Sequence, residues 1–478
     1  MTQDFLIALT VGFVILSVPV AIGLATVWLL RREPCPSFGI ETFCVSYAIG
    51  ITVLATVSYC LAVSGLNHTD SGLLQGSVIA LSIASLIFVS VRARSYWLMT
   101  KPKLGLPNST CHRVFAYLIA VAIITQALIL LVDNYSQSIW AWDSVKFWVH
   151  RSAAWHGTDS MGFWSWTGNE YVLKHYSDQY IDREPPMVSL TYFWAISLAG
   201  AHSSNLISLP AVAALYATGG LVYSQTYQVT SSIPAALAAC LVSFTIPLLT
   251  THGVSAGYAD IWLTLFITAF ISIAFSPGGR GRSTKMPILV VLAASLAFTK
   301  EKGIWFATYC AVLASTVRSC EKSRPNRVWA TVPSLVKAGY CCLLTIAILG
   351  RLVDLGLPLP VSVKLYWPQF GTGVDYILTI LVSDSWGFLF TTLVLLITLF
   401  SINDTPGLVR FSELFVLVAI LGFAALATTP SFRPLFSDGT TFDRASLILA
   451  PQATVIIAHY FHQIFSKPHD PTPVQHVD

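Results

Sequence analysis

Long apolar runs separated by short polar segments dominate the chain. Each run approaches or reaches the roughly 20 residues that a helix needs to cross a bilayer. Because lipid offers the backbone no hydrogen-bond partner, such runs predict helices, in which backbone groups pair internally. The pattern predicts about thirteen transmembrane helices, near residues 5–30, 39–63, 72–91, 113–132, 204–224, 231–250, 260–276, 286–299, 303–318, 328–350, 385–401, 411–428 and 444–464. The expected fold class is an all-α, polytopic membrane protein.

The composition agrees with this interpretation. Hydrophobic residues make up 55% of the 478 positions, charged residues make up 10%, and the mean hydropathy is +0.68. A soluble domain carries about 25% charged residues, so most of this chain cannot face water. The net charge of +4 is spread along the chain without a basic run. This argues against nucleic acid as a partner and leaves the lipid bilayer as the expected one.

Basic residues accumulate in alternate loops of this pattern. Lys and Arg are enriched on the cytoplasmic side of membrane proteins, so the alternation predicts the orientation. The basic loops contain Arg31, Arg32, Arg92, Arg94, Lys101, Lys103, Arg113, Arg280, Arg282, Lys285, Arg318, Lys322, Arg324 and Arg327. The sequence therefore predicts an external N-terminus, an internal C-terminus and a location in the plasma or inner membrane.

The longest segment without a predicted span covers residues 133–203, on the external side. It is rich in Trp and Tyr, which favour the membrane–water interface because they combine an apolar body with a polar edge. Short interfacial helices near residues 140–155 and 187–198 are expected to lie on the outer leaflet. An aromatic belt alone would explain the Trp and Tyr content. It would not explain why the segment also contains Asp143 and the charged motif Asp182-Arg183-Glu184-Pro185-Pro186.

Three further charged motifs fall in external segments at the ends of predicted spans. They are Gly257-Tyr258-Ala259-Asp260, Phe298-Thr299-Lys300-Glu301-Lys302-Gly303 and Asp443-Arg444-Ala445-Ser446-Leu447. Nearly every acidic residue of interest lies on this side of the predicted topology. The asymmetry predicts that the chemistry of the protein takes place at the external face.

These motifs resemble those of the GT-C glycosyltransferases in their order along the chain and in their predicted placement on one side of the membrane. Members of that superfamily include protein O-mannosyltransferases and the aminoarabinose transferases that act on lipid A. The resemblance covers about residues 130–310 and is thinner in the C-terminal third. It implies an inverting transfer of a sugar from a polyprenyl-phosphate-linked donor to a glycan, lipid or protein acceptor. The active site would lie at the external or periplasmic face.

The same resemblance divides the chain into four parts. Residues 1–112 are expected to hold accessory transmembrane helices that precede the usual first helix of the family. Residues 113–350 would form the GT-C-like catalytic module, including the external loop 133–203. Residues 351–466 would form the C-terminal transmembrane helices, and residues 467–478 a short cytoplasmic tail.

The implied reaction needs a general base within hydrogen-bond reach of the acceptor's proton, and cations for the phosphate leaving group. Asp143 is the candidate base, and Asp260 is a second catalytic carboxylate that would orient Asp143, bind substrate or hold a metal. Arg is favoured for phosphate because its planar fork matches the phosphate oxygens. Candidate phosphate ligands are Arg444, Lys300, Lys302 and Arg183, and candidate substrate-binding residues are Trp142, Lys146, Glu184, Tyr258 and Glu301.

Several alternatives stay open. No cofactor is required by the motifs, but a divalent metal could be held by an external histidine such as His252 with Glu184 or Asp260. A transporter or lipid flippase is an alternative function, although such proteins usually show internal repeats and ionisable groups near mid-membrane. Further alternatives are an O-antigen polymerase or ligase, which usually has its largest loop late in the chain, and a receptor or structural protein.

Overall fold

In the computed structural model of the protein, the described residues form helices and short connections. No strand occurs among them. The described residues are 2–31, 39–63, 80–90, 110–136, 148–157, 185–199, 204–255, 257–276, 282–300, 302–322, 336, 338–341, 377, 381, 386, 389–400, 405–428, 444 and 446–466.

The α-helices of this part of the chain are numbered in chain order. They are α1 (Thr2–Arg31), α2 (Ile40–Val63), α3 (Ala80–Ser90), α4 (Thr110–Ser136), α5 (Val149–Gly157), α6 (Met187–Ala199), α7 (Leu209–Thr230), α8 (Ile233–Thr245), α9 (Pro247–Val254), α10 (Ala259–Phe275), α11 (Arg282–Thr299), α12 (Gly303–Lys322), α13 (Leu389–Leu399), α14 (Gly407–Thr428) and α15 (Ala450–Phe465). Short 3₁₀ turns, Ser204–Leu206 and Leu447–Leu449, precede α7 and α15.

Four of these helices, α1, α2, α4 and α14, are long and apolar enough to cross a membrane. The pair α8–α9 would be a fifth span, bent by 67°. The bend lies at Ile246, because Pro247 cannot continue the helical hydrogen bonding and holds the residue before it in an extended conformation. Shorter apolar helices of 10–17 residues accompany them. The predicted all-helical fold with membrane-length apolar helices is thus confirmed for the described residues.

Helix α10 occupies the centre of the bundle. All of its residues from Ala259 to Phe275 are buried, and it packs against α2, α7, α11 and α12. A helix that is apolar all round is buried all round. Helix α4, in contrast, exposes many apolar side chains, among them Val114, Leu118, Val121, Ile124 and Leu128. The central position of α10 determines which helix ends surround its first turn, where Asp260 lies.

Helices α1 and α2 touch backbone to backbone. A Cβ added at Gly23 would lie 1.7 Å from the carbonyl oxygen of Ser46, and one added at Gly50 would lie 1.7 Å from the carbonyl oxygen of Pro19. Such close approach through small residues is common between membrane helices. The contact therefore depends on two glycines, one from each helix.

The segments expected to lie on the outer leaflet form α5 and α6. Helix α6 is buried, including Tyr192, Phe193 and Trp194, and it packs against α2 and α5. Its aromatic side chains are therefore enclosed by other parts of the protein. Aromatic residues that suit an interface suit a protein core equally well, so composition did not distinguish the two. Residues 140–147 of the other expected helix lie outside the described residues.

Gly50→Ala should destabilise the protein, because the new methyl group would meet the Pro19 carbonyl and push α1 and α2 apart. Overpacking costs about 1–3 kcal/mol, and occasionally more. Thermal unfolding of the purified protein in detergent, followed by Trp fluorescence, would show a lower midpoint.

The matched control is Gly422→Ala on α14, where nothing lies within 4 Å of the added Cβ. Alanine is favoured over glycine in a helix interior by about 0.5–1 kcal/mol, so this variant should unfold at an equal or higher temperature. Equal midpoints for the two variants would contradict the close contact between α1 and α2.

Candidate functional site

Asp260 shares its buried carboxylate between two cations. Its Oδ1 accepts a hydrogen bond from Lys300 Nζ at 2.8 Å. Its Oδ2 accepts one from Arg444 Nε at 2.9 Å and lies 2.8 Å from Arg444 Nη2. The Asp260 side chain is 7% exposed, whereas those of Lys300 and Arg444 are 19% and 26% exposed. Both carboxylate oxygens are thus occupied, and the cations are the more accessible partners.

Three helix ends bring these residues together. Asp260 lies in the first turn of α10, Lys300 follows the last residue of α11, and Arg444 precedes the 3₁₀ turn before α15. The three residues come from separate sequence motifs and meet at one end of the bundle. We call Asp260, Lys300 and Arg444 the Asp260 cluster.

The electrostatics of the Asp260 cluster favour the ionised carboxylate. The positive end of the α10 dipole adds to the attraction of the two cations, because Asp260 lies in the first turn of the helix. Hydrogen bonds between charged groups are also about twice as strong as those between neutral groups. Asp260 is therefore well held as an anion and poorly suited to accept a proton. The cluster as a whole has a surplus positive charge, which attracts anions.

An aromatic pair extends the Asp260 cluster. The His252 ring stacks on the Tyr258 ring with centroids 4.2 Å apart and planes 13° apart. The Arg444 guanidinium lies 5.5 Å from the centroid of the same Tyr258 ring, within the range of a cation–π interaction. His252 is buried, and its Nδ1 has no hydrogen-bond partner among the described residues. Tyr258 thus links the charged cluster to a buried histidine.

The turn before α10 is held by a residue from outside its motif. Gly257 has a φ of 80°, a conformation that favours glycine. Its N–H donates a hydrogen bond to Tyr192 Oη at 2.7 Å, from the buried helix α6. Through this contact α6 positions Tyr258 and Asp260, which follow the turn. The sequence showed Tyr192 only as one aromatic residue among many in the external loop.

Sequence reasoning also missed the positioning role of Asn134. This residue is buried near the end of α4. Its Nδ2 donates to the Val254 carbonyl oxygen at 2.6 Å, and its Oδ1 accepts from Ser208 Oγ at 2.8 Å. Buried amides are kept where their polar atoms are paired, so Asn134 fixes the end of α9, the helix that carries His252. An amide at the end of an apolar run was the only signal for it in the sequence.

The predicted site residues fall into three groups. Asp260, Lys300, Arg444 and Tyr258 come together in and around the Asp260 cluster. Lys302 is exposed in the turn before α12. The remaining predicted residues, Asp143, Arg183, Trp142, Lys146, Glu184 and Glu301, lie outside the described residues. Lys300 and Arg444, predicted as phosphate ligands, bind a carboxylate of the chain itself.

Metal ligands were a further expectation around Asp260. Within the described segments, no group of three or more His, Cys, Asp and Glu side chains could hold a metal ion. The oxygens of Asp260 already bind two cationic side chains, which would compete with a metal. The described residues therefore lend no support to a metal at Asp260.

Comparison with known proteins gives no match. No family model matches the chain, and no curated protein or solved structure does so either. A functional proposal therefore builds on the chain's own residues.

Asp260→Asn should destabilise the protein, because it leaves Lys300 and Arg444 without the charge that compensates them. Breaking a buried ion pair costs about 3–5 kcal/mol, and the partial exposure of both cations places this case near the lower value. The measurement is the midpoint of thermal unfolding in detergent. His112→Gln, at an exposed side chain near the start of α4, should change the free energy of unfolding by no more than about 0.5 kcal/mol. A wild-type midpoint for Asp260→Asn would contradict the ion pairs.

Proposed function

We propose that the chain is an integral membrane glycosyltransferase of the GT-C type. It would move a sugar from a polyprenyl-phosphate-linked donor to a glycan, lipid or protein acceptor, with inversion at the anomeric carbon. The observation that carries this proposal is the Asp260 cluster, in which residues from three of the family-like motifs lie within hydrogen-bond distance. Its surplus positive charge suits a substrate that contains a phosphate.

The donor phosphate would bind to the two cations of the Asp260 cluster. Both cations are more exposed than the carboxylate that they contact, so a phosphate would approach them first. Asp260 would hold Lys300 and Arg444 at a fixed spacing, so that little reorganisation is needed when a phosphate arrives. Lys302 and Arg183 are proposed as further phosphate ligands.

In the proposed reaction the nucleophilic atom of the acceptor attacks the anomeric carbon, opposite the bond to the phosphate oxygen. The new bond forms as the sugar–phosphate bond breaks, and the phosphate leaves with the electron pair. The acceptor's proton passes to Asp143, the proposed general base. Asp260 is less suited to that role, since cations occupy both of its oxygens. Lys300 and Arg444 would offset the charge that develops on the phosphate.

Contacts with the sugar and the acceptor are proposed for a second set of residues. This set consists of Trp142, Lys146, Glu184, Tyr258 and Glu301. The Tyr258 ring contacts the Arg444 guanidinium, so it would lie beside the phosphate and within reach of the attached sugar. Aromatic faces and charged groups together suit a sugar, which has both C–H faces and hydroxyl groups.

The proposed topology has about thirteen spans of ~20 residues each, with the Asp260 cluster at the external or periplasmic face of a plasma or inner membrane. Support comes from two independent directions. The alternation of basic loops predicts that Asp260, Lys300 and Arg444 share one side of the membrane. The same three residues contact one another at one end of the bundle.

A transporter or lipid flippase is the second candidate. One observation favours it, the burial of Glu413 within α14. Ionisable residues inside membrane helices are frequent along transport pathways. Binding of a polyprenyl-linked sugar without any transfer of the sugar would favour this alternative.

The topology predicts opposite accessibility for two introduced cysteines. Ser160→Cys should react with a membrane-impermeant maleimide in intact cells, because residue 160 is placed outside. Gly105→Cys, placed in a basic cytoplasmic loop, should react only after the cells are permeabilised. The background is a variant that lacks the nine native cysteines. The reverse labelling pattern would overturn both the orientation and the external placement of the site.

Arg444→Ala should lower turnover about a hundredfold, since removal of one such donor costs roughly 3 kcal/mol. Arg444→Lys should retain part of the activity, because Lys keeps the charge but loses the planar fork. The measurement is the release of polyprenyl phosphate from a purified lipid-linked sugar, with an envelope extract as the source of acceptor.

Asp143→Asn separates donor binding from chemistry in the same assay. This variant should bind the donor normally and release little polyprenyl phosphate, because an amide cannot accept the proton. Thermal unfolding of the variants controls for misfolding. A wild-type rate in Arg444→Ala would remove Arg444 from the phosphate site. A wild-type protein that does not bind the donor would contradict the glycosyltransferase proposal itself.

A further inference from the structure

A second acidic residue is buried in the bundle, away from the Asp260 cluster. Glu413 lies within α14, one of the helices long and apolar enough to cross a membrane. The residue is only 5% exposed. Its Oε1 accepts a hydrogen bond from Tyr460 Oη, on α15, at 3.0 Å.

Three tyrosine hydroxyls converge on this turn of α14. Besides the Tyr460 contact, Tyr340 Oη donates to the Glu413 carbonyl oxygen at 3.2 Å. Tyr309 Oη, from α12, donates to the Phe415 carbonyl oxygen at 3.1 Å. The donors come from three separate segments of the chain, so the position of the Glu413 turn is held from several sides. We call Glu413, Tyr460, Tyr340 and Tyr309 the Glu413 site.

The charges around Glu413 differ from those around Asp260. No ion pair to Glu413 occurs in the described part of the chain. Arg410, one turn earlier on α14, directs its Nε to Thr405 Oγ1 at 2.9 Å. His459, beside Tyr460 on α15, is fully buried, and both of its ring nitrogens are without a hydrogen-bond partner among the described residues. In the described part of the chain, the side chains of other segments that bond to the Glu413 turn are thus tyrosine hydroxyls.

An ionised carboxylate in these surroundings would be costly. Removing a charge from water costs several kcal/mol unless a partner charge and further hydrogen bonds compensate it. The single hydroxyl of Tyr460 gives only one such hydrogen bond. A neutral carboxylic acid needs far less compensation, because it carries no net charge. Burial and the absence of an ion pair among the described residues therefore favour a protonated Glu413.

A chain of hydrogen bonds connects the neighbouring residue to the centre of the bundle. Ser412 Oγ bonds to Gln452 Oε1 at 2.7 Å, and Gln452 Nε2 donates to Gln225 Oε1 at 3.2 Å. Gln225 Nε2 donates to the Thr268 carbonyl oxygen on α10 at 3.0 Å. This polar layer crosses α14, α15, α7 and α10. Buried polar networks of this kind, with their members paired, hold the helices in one arrangement.

We propose that Glu413 is a second functional site of the protein, a carboxyl group inside the helix bundle that reversibly binds a proton. In the bound state the proton is on one carboxyl oxygen while the other accepts the hydrogen bond from Tyr460. In release the O–H bond breaks, the proton passes to water, and Glu413 keeps the electron pair as a carboxylate. The site is separate from the Asp260 cluster, whose carboxylate is held in the ionised form by two cations.

Infrared difference spectroscopy on the purified full-length protein in lipid tests this proposal. The spectrum of the wild type minus that of Glu413→Gln should contain the carbonyl stretch of a carboxylic acid at neutral pH. In deuterated buffer the band should shift to lower frequency, because an exchangeable proton is replaced by deuterium. At alkaline pH it should be replaced by the bands of a carboxylate. The measurement uses no sugar donor, so its result is independent of the glycosyltransferase proposal.

A second variant covers the case in which Glu413→Gln fails to fold. Tyr460→Phe removes the hydroxyl that donates to Glu413, so the carbonyl band should shift to higher frequency. Tyr227→Phe, at an exposed tyrosine of α7, should leave the band unchanged. Carboxylate bands alone at neutral pH would overturn the proposal. A carboxylic acid band that does not shift in deuterated buffer and persists at alkaline pH would also overturn the proposal. Such a band would mean that the proton never leaves Glu413.

Discussion

The carboxylate of Asp260 holds three parts of the chain at one point. Its two oxygens bind Lys300 and Arg444, which follow α11 and precede α15. Each ion has lost part of its hydration, so separating any one of them would leave an uncompensated charge in a poorly solvated place. The ends of three helices are therefore constrained together, whatever path the connecting segments take. This constraint also determines the character of the site, because two cations and one anion leave a positive surplus.

The burial of α10 makes that constraint effective. Because protein surrounds every side of α10, its first turn cannot shift without disturbing α2, α7, α11 and α12. The hydrogen bond from Gly257 to Tyr192 then fixes the turn itself. The stack of His252 on Tyr258 adds a second fixed surface beside the ions. Charges held this rigidly can stabilise a developing charge without first reorganising, which is the main electrostatic advantage of a protein site over water.

Apolar runs predicted the helices well in segments whose side chains must face lipid or the protein core. The predicted span at residues 260–276 is α10, and its acidic first residue was recognised as a site candidate. The span predicted at 231–250 is broken at Ile246, because Pro247 interrupts the backbone hydrogen bonding. The pairing of Asp260 with Arg444 was not predicted, since hydropathy places both residues on one side without giving a distance. The burial of Tyr192 escaped prediction because an interface and a core favour the same side chains.

Two acids of the chain are buried in two physically different ways. Asp260 stays ionised because cations compensate it at a helix end, where those cations retain some contact with solvent. Glu413 lies in the interior of an apolar helix with hydroxyl partners and no ion pair among the described residues, so neutrality is its less costly state. The first arrangement creates an electric field that attracts an anion to the end of the bundle. The arrangement at Glu413 creates almost no electric field until the carboxyl group loses its proton. A fixed charge suits the binding of a phosphate, whereas a charge that appears only on deprotonation suits a response to proton availability.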